Sequence, residues 1–81
     1  MKVLKFSASW CQPCKMLAKT LESYKGDVQI ENIDIDESQE VAIRFGIRGV
    51  PTCVLVDDSG KEIKRQSGMM MLDQFEEFVK Q

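Results

Sequence analysis

Apolar residues recur along this chain with two alternating periods. Val3, Leu4 and Phe6 belong to a short β-rich run, Lys2 to Ser7, that closes on the turn-like pair Ala8-Ser9. From Pro13 the spacing becomes helical: Cys14, Leu17, Ala18 and Leu21 fall on one face at separations of three and four. A proline is tolerated in a helix only within the first turn, where its missing N–H has no partner to lose. Gly26, within Lys25-Gly26-Asp27, is expected to end that helix in the position glycine favours. Val28 to Ile35 then alternates apolar and polar residues, which predicts a strand through about Ile33. Asp36 or Ser38 is expected to cap a short helix through Phe45, with Val41, Ala42 and Phe45 inward and Gly46 as its stop. Ile47 to Pro51 reads as a loop, and Thr52 to Val56 is continuous enough to be a central strand. Asp57-Asp58-Ser59-Gly60 signals a hairpin, Glu62 to Ser67 alternates like an exposed edge strand, and Gly68 breaks it. The last helix runs from Met71 or Leu72 to Val79, with Leu72, Phe75 and Val79 on one face. The order is β-α-β-α-β-β-α, an α/β chain with a parallel βαβ half followed by a hairpin and a helix.

Composition narrows the chemistry. At 81 residues, 1–81 is expected to form one domain with a thin core, and 43% hydrophobic residues are enough to build it. The net charge of −2, with both signs interspersed, argues against nucleic acid as a partner. The apolar runs are far too short to span a bilayer, so no membrane association is expected. Met1 to Phe6 carries no signal-peptide pattern, and a reducing, cytoplasmic setting is the expectation. Three cysteines are too few for a disulfide-stapled scaffold. Histidine is absent, which removes Ser-His and Cys-His nucleophilic pairs and most zinc sites. No phosphate-cradling glycine motif occurs either. What remains is sulfur chemistry.

Cys11-Gln12-Pro13-Cys14 lies between a predicted strand and the start of a helix. A cysteine there faces unpaired backbone N–H groups and the positive end of the helix dipole, both of which favour thiolate over thiol. Lys15 adds positive charge. Cys11 is expected to be the exposed attacking thiol and Cys14 the buried resolving one, so that a substrate disulfide is exchanged for a Cys11–Cys14 bond. The competing use of such a pair, half of a metal site, needs two further ligands where only Cys53 remains, so no metal is expected. Cys53 itself reads as a small buried hydrophobe in the central strand.

Phe6-Ser7-Ala8-Ser9-Trp10-Cys11-Gln12-Pro13-Cys14-Lys15 closely resembles the active-site segment of thioredoxins. Asn32 to Asp36 and Phe45 to Thr52 resemble that family's next strand and its cis-proline loop, and the resemblance runs through nearly the whole chain. It implies a four-stranded mixed sheet in the order 2-1-3-4 with helices on both faces. Pro51 would be a cis-proline packed against the cysteines, leaving the backbone of Val50 free to pair with an extended substrate segment. Trp10, Gly49, Val50 and Gly68 would form a shallow apolar substrate groove, while Gln12 and Pro13, between the cysteines, would tune the redox pair.

The chain also departs from the family. Thioredoxins usually begin with an extra strand and helix, which have no counterpart before Lys2; without them the strand surface on the side of the short middle helix is expected to be thinly covered. The family usually has a buried aspartate where this chain has Lys5. Strand parity puts Lys5 on one face with Val3 and Ser7, and it is expected to pair with Glu31 or Asp34 and to steady the thiolates. The implied activity is reduction of protein disulfides by a monomer with no bound cofactor. Its partners would be of the kind represented by a ribonucleotide reductase or a peroxidase, with a thioredoxin reductase restoring the dithiol. Two alternatives are a glutaredoxin-like reductase drawing on glutathione, and a binding subunit whose cysteines are dispensable.

Overall fold

The computed structural model describes residues 1–80. Strand β1 (Lys2–Ser7) is followed by α1 (Gln12–Leu21), β2 (Gln29–Asp34), α2 (Gln39–Arg44), β3 (Thr52–Val56), β4 (Glu62–Ser67) and α3 (Leu72–Phe78). The four strands form one mixed sheet in the order β2-β1-β3-β4. β1 runs parallel to β2, and β3 is antiparallel to both β1 and β4. This is the element order and sheet order expected from the sequence.

Strand parity divides the core in two. Val3, Cys53 and Leu55 turn to one face, where they meet Leu17 and Leu21 of α1 and Phe75 and Phe78 of α3. Leu4, Phe6, Val54 and Val56 turn to the other, where they meet Ala42 of α2. Every residue of β3 is buried, as its central place between β1 and β4 requires. The α2 face is not thinly covered. Leu4, Phe6, Val54 and Val56 are all buried, because Val41 of α2, Phe45 at its end, and Ile35, Ile47 and Val50 of the flanking loops close over them. The helix and its two flanking loops together do there what a single short helix cannot.

Two helix ends show how local chemistry sets the frame. α2 closes with Gly46 at φ 63°, the Gly46 N–H on the Ile43 carbonyl (3.0 Å) and the Ile47 N–H on the Ala42 carbonyl (2.9 Å). Its start is organised differently from expectation. Ser38 is the N-cap but its side chain makes no capping bond; Asp34 instead accepts the N–H groups of Asp36 (2.8 Å) and Glu37 (3.3 Å). α1 ends at Leu21, well before Gly26. The chain leaves the helix through tight turns, Ser23 onto Thr20 and Tyr24 onto Leu21, because Tyr24 swings in to pack edge-on against Phe75 at 5.1 Å. Gly26 has no positive φ; it is small because a side chain there would overlap the Tyr24 ring. In α3 the buried face is carried by Phe75 and Phe78, with Leu72 only half-buried.

Candidate active site

The site sits where β1 gives way to α1. The chain turns through Ala8 to Trp10, and the Cys11 N–H closes the turn on the Ala8 carbonyl at 3.1 Å. Cys11 is the N-cap of α1, in extended conformation, and its Sγ accepts the Cys14 N–H at 3.2 Å. A sulfur thus occupies the place that a serine or aspartate oxygen usually fills. Pro13 follows in the first helical turn, where it costs no hydrogen bond. Cys11 and Cys14 are joined as a disulfide with their Cα atoms 5.3 Å apart. Once that bond is opened, the same N–H and the N-terminal end of the helix dipole favour a thiolate at Cys11.

The two cysteines do not divide into one exposed and one buried. Each retains only 4% of its surface, since Ala8, Ile35 and Val50 pack around the pair. Cys11 Sγ lies 3.7 Å from the Val50 carbonyl oxygen. Exposure falls on Trp10 instead, at 66%, with its indole N–H donated to Asp36 at 3.0 Å. Asp36, one of the two cap candidates for α2, is not the cap; Ser38 holds that position. The bond from the indole to Asp36 joins two loops that are remote in sequence, and no local signal announces it.

Val50–Pro51 is a cis peptide bond. Pro51 is buried, and its carbonyl accepts the N–H of Gly68, which stands at φ 91° just past β4. Thr52 donates its hydroxyl to the Gly49 carbonyl at 2.8 Å, fixing the loop ahead of the proline. Among the described residues, none accepts a hydrogen bond from the Val50 N–H. Val50 therefore lies beside Cys11, with Pro51 next to it in the chain and bonded in turn to Gly68, while Gly49 is exposed on the loop and Gln12 and Pro13 are exposed on the helix.

Lys5 is buried, with 6% of its surface accessible, on the face that its parity predicts. It does not pair with either acid. Glu31 is register partner of Leu4 and so lies on the opposite face, where Lys2 binds it at 2.8 Å. Asp34 is on the Lys5 face but its carboxylate is taken by the turn into α2. The register neighbours of Lys5 are Asn32 and Cys53. Burial lowers the Lys5 ammonium below its usual range, with Cys53 opposing; burial pushes the Cys53 thiol up to about 11, with Lys5 opposing. No side-chain nitrogen or oxygen among the described residues is both buried and unpartnered, so the Lys5 ammonium reaches water. Lys5 lines a hollow of about 260 Å³ together with Cys14, Lys15 and Asn32. No cluster of three or more potential metal ligands occurs among the described residues, and no helix there is long and apolar enough to cross a membrane.

The sequence matches the thioredoxin family model over residues 1–81. It is 40% identical, over 84% of its length and 82% of the relative's, to the SPbeta prophage-derived thioredoxin-like protein YosR of Bacillus subtilis. It is 34% identical to the thioredoxin of Haemophilus influenzae, over 98% of this chain and 77% of that one. Among solved structures, a thioredoxin variant from Halobacterium salinarum superposes with a TM-score of 0.88 at 35% identity, covering 95% of this chain and 69% of that one. Fasciola hepatica thioredoxin superposes with a TM-score of 0.84 at 31% identity, covering 95% and 75%.

Proposed function

The chain belongs to the thioredoxin family and is a thiol–disulfide oxidoreductase, and from that premise we propose that Cys11 attacks and Cys14 resolves in the reduction of protein disulfides. The observation that carries the assignment is the Cys14 N–H directed at Cys11 Sγ at the start of α1, which favours negative charge on Cys11. In the first step the Cys11 thiolate forms a bond to one sulfur of the substrate disulfide, and the other substrate sulfur leaves as a thiolate. In the second, Cys14 gives up its proton and attacks Cys11 Sγ, releasing the remaining substrate thiol. The substrate gains two electrons and the Cys11–Cys14 bond is restored. With both sulfurs covered in the disulfide form, substrate approaches along the exposed rim formed by Trp10 and Gly49.

The unpaired Val50 N–H supports a role for this loop in holding an extended substrate backbone, with Pro51 and Gly68 shaping the floor of the groove. Gln12 and Pro13, at the first turn of α1, tune the pair by setting how the helix N–H groups meet the sulfurs. The chain acts as a single domain, a monomer carrying electrons in the cytoplasm without a bound cofactor. A thioredoxin reductase supplies it, and enzymes that regenerate a dithiol in each turnover, such as a ribonucleotide reductase or a peroxidase, draw on it.

The test is reduction of insulin disulfides, with thioredoxin reductase and separately with glutathione as electron source. Turnover with the reductase and none with glutathione is the expected result. Turnover with glutathione alone would place the protein with the glutaredoxin-like reductases. Cys14→Ser is expected to abolish turnover and to accumulate a mixed disulfide on Cys11, visible by intact-protein mass spectrometry. A Cys11/Cys14→Ser double variant that kept its cellular function would show a binding subunit instead.

A further inference from the structure

We propose that Lys5 is a positioning residue for the resolving step, its ammonium stabilising the thiolate of Cys14 across the hollow that the two side chains share. The inference rests on the reading of Cys14 as the resolving thiol. Resolution requires Cys14 to lose its proton while buried at 4% exposure, and a thiolate in such a place needs a source of positive potential. Cys11 has one in the Cys14 N–H, but Cys14 lies two residues deeper in α1 than the first helical residue, and it faces inward.

The hollow beneath it supplies the charge. The two charged side chains that line it, Lys5 and Lys15, are both cationic. α1 brings Cys14, Ala18 and Lys15; β1 brings Lys5 and Ser7; β2 brings Asn32, which is neutral. From β3, Cys53 is the register neighbour of Lys5 and remains a neutral thiol until high pH. Asp34, on β2 and the same face, spends its carboxylate on the N–H groups of Asp36 and Glu37. No carboxylate lines the hollow, and Lys5 has no anionic partner within it among the described residues. Lys15 is exposed and its charge is largely screened, so Lys5, buried and lining the same hollow, is the cation whose field reaches Cys14 best. The proton that leaves Cys14 goes to water in the hollow, and Lys5 keeps its own.

The experiment follows the fully reduced protein with 5,5′-dithiobis(2-nitrobenzoate) by stopped flow. Cys11 attack releases a first thionitrobenzoate, and Cys14 attack on the Cys11 mixed disulfide releases a second, so each thiol is read in its own phase. Cys53, fully buried, does not compete. Lys5→Met keeps length and packing while removing charge. Its second phase is expected to have a pH inflection about one unit higher, tenfold less thiolate at a given pH. A more basic thiolate is a better nucleophile by roughly threefold at a Brønsted coefficient near 0.5, so the second release at pH 7 should be about threefold slower. Lys5→Arg should restore the wild-type profile, which a merely structural role for Lys5 does not demand. A second phase with an unchanged pH profile in Lys5→Met overturns the proposal. No second phase in the wild-type protein would instead overturn the assignment of Cys14, and the inference with it. Should Lys5→Met not fold, the wild-type protein labelled with ¹³C at the lysine ε-carbon decides the matter. Coupling is reciprocal, so Lys5 must titrate at higher pH in the dithiol than in the disulfide form; equal titration in both sinks the idea.

Discussion

Lys5 and Cys53 stand opposite each other across β1 and β3, and burial acts on them in opposite senses. Cys53 is held as a thiol up to about 11, against an ordinary 9.0. Its folded-state value is the raised one, so its contribution to stability is fully present below pH 9 and is lost as pH climbs towards 11. Lys5, lowered on folding, contributes in the reverse direction: folding discourages its proton, and stability is regained as pH rises to its unfolded value of 10.5. The two are separated by taking a difference. Wild type and Cys53→Ala, both kept reduced, should differ in urea-derived stability by an amount that shrinks between pH 8.5 and 11, by up to about 3 kcal/mol. A constant difference across that range would remove the raised thiol from the account. At this scale the sequence was legible for Cys11 and Cys14 as a redox pair, which follows from a strand, a turn and a helix start in one short segment, but not for their exposure, which is equally small at both. It was partly legible for Lys5. Parity placed it on the Val3 face, but the register that puts Glu31 on the Leu4 face and the turn bonds that occupy Asp34 both needed coordinates, because the apolar residues Ile30 and Ile33 fall on opposite faces of β2. The bond from Trp10 to Asp36 joins two loops, and nothing local encodes it.

Among the elements, Gly46 and Gly26 are glycines for two different reasons, and only Gly46 marks a helix end. Gly46 stands at φ 63° with the paired hydrogen bonds of a left-handed helix stop, and no atom lies within 4 Å of where a Cβ would be. Gly46→Ala therefore carries a conformational cost alone, about 1 kcal/mol, and should lower the melting temperature by about 6 °C. Gly49→Ala is the control: its φ is not positive and its surroundings are equally open, so its melting temperature should not move. Equal shifts in the two variants would refute the conformational reading. Gly26 is the other case, required by the ring of Tyr24, and since that ring is drawn inward by Phe75 the end of α1 depends on a contact with α3. The period of the apolar residues set the strands and their faces, because a one-residue slip would expose the whole apolar set. The same pattern could not report how completely the α2 face is covered, since Ile35, Ile47 and Val50 lie in loops and carry no period.

On the scale of the molecule, a sheet with α1 and α3 on one face and α2 on the other carries its redox pair at the carboxyl end of β1, and folding and redox state become linked through that pair. The Cys11–Cys14 bond closes a very short loop, separated by three in sequence. Cross-linking so short a segment limits the unfolded chain only modestly, stabilising the oxidised protein by about 2 kcal/mol at most. In a chain of this size that is a melting temperature roughly 10 °C above that of the reduced form. Anything that stabilises thiolates in the folded dithiol narrows this gap, since unfolding then costs the reduced protein its favourable thiolate environment as well. The helix N-terminus at Cys11 acts in this way, and on the proposal above so does Lys5 at Cys14. Lys5→Met changes the packing of both redox forms alike but removes charge that matters only when Cys14 is ionised. The gap between oxidised and reduced melting temperatures, measured by circular dichroism at pH 8, should consequently be wider in Lys5→Met than in wild type, whatever happens to either temperature alone. A gap that stays the same would confine Lys5 to packing and leave the helix N-terminus as the sole source of thiolate stabilisation in the fold.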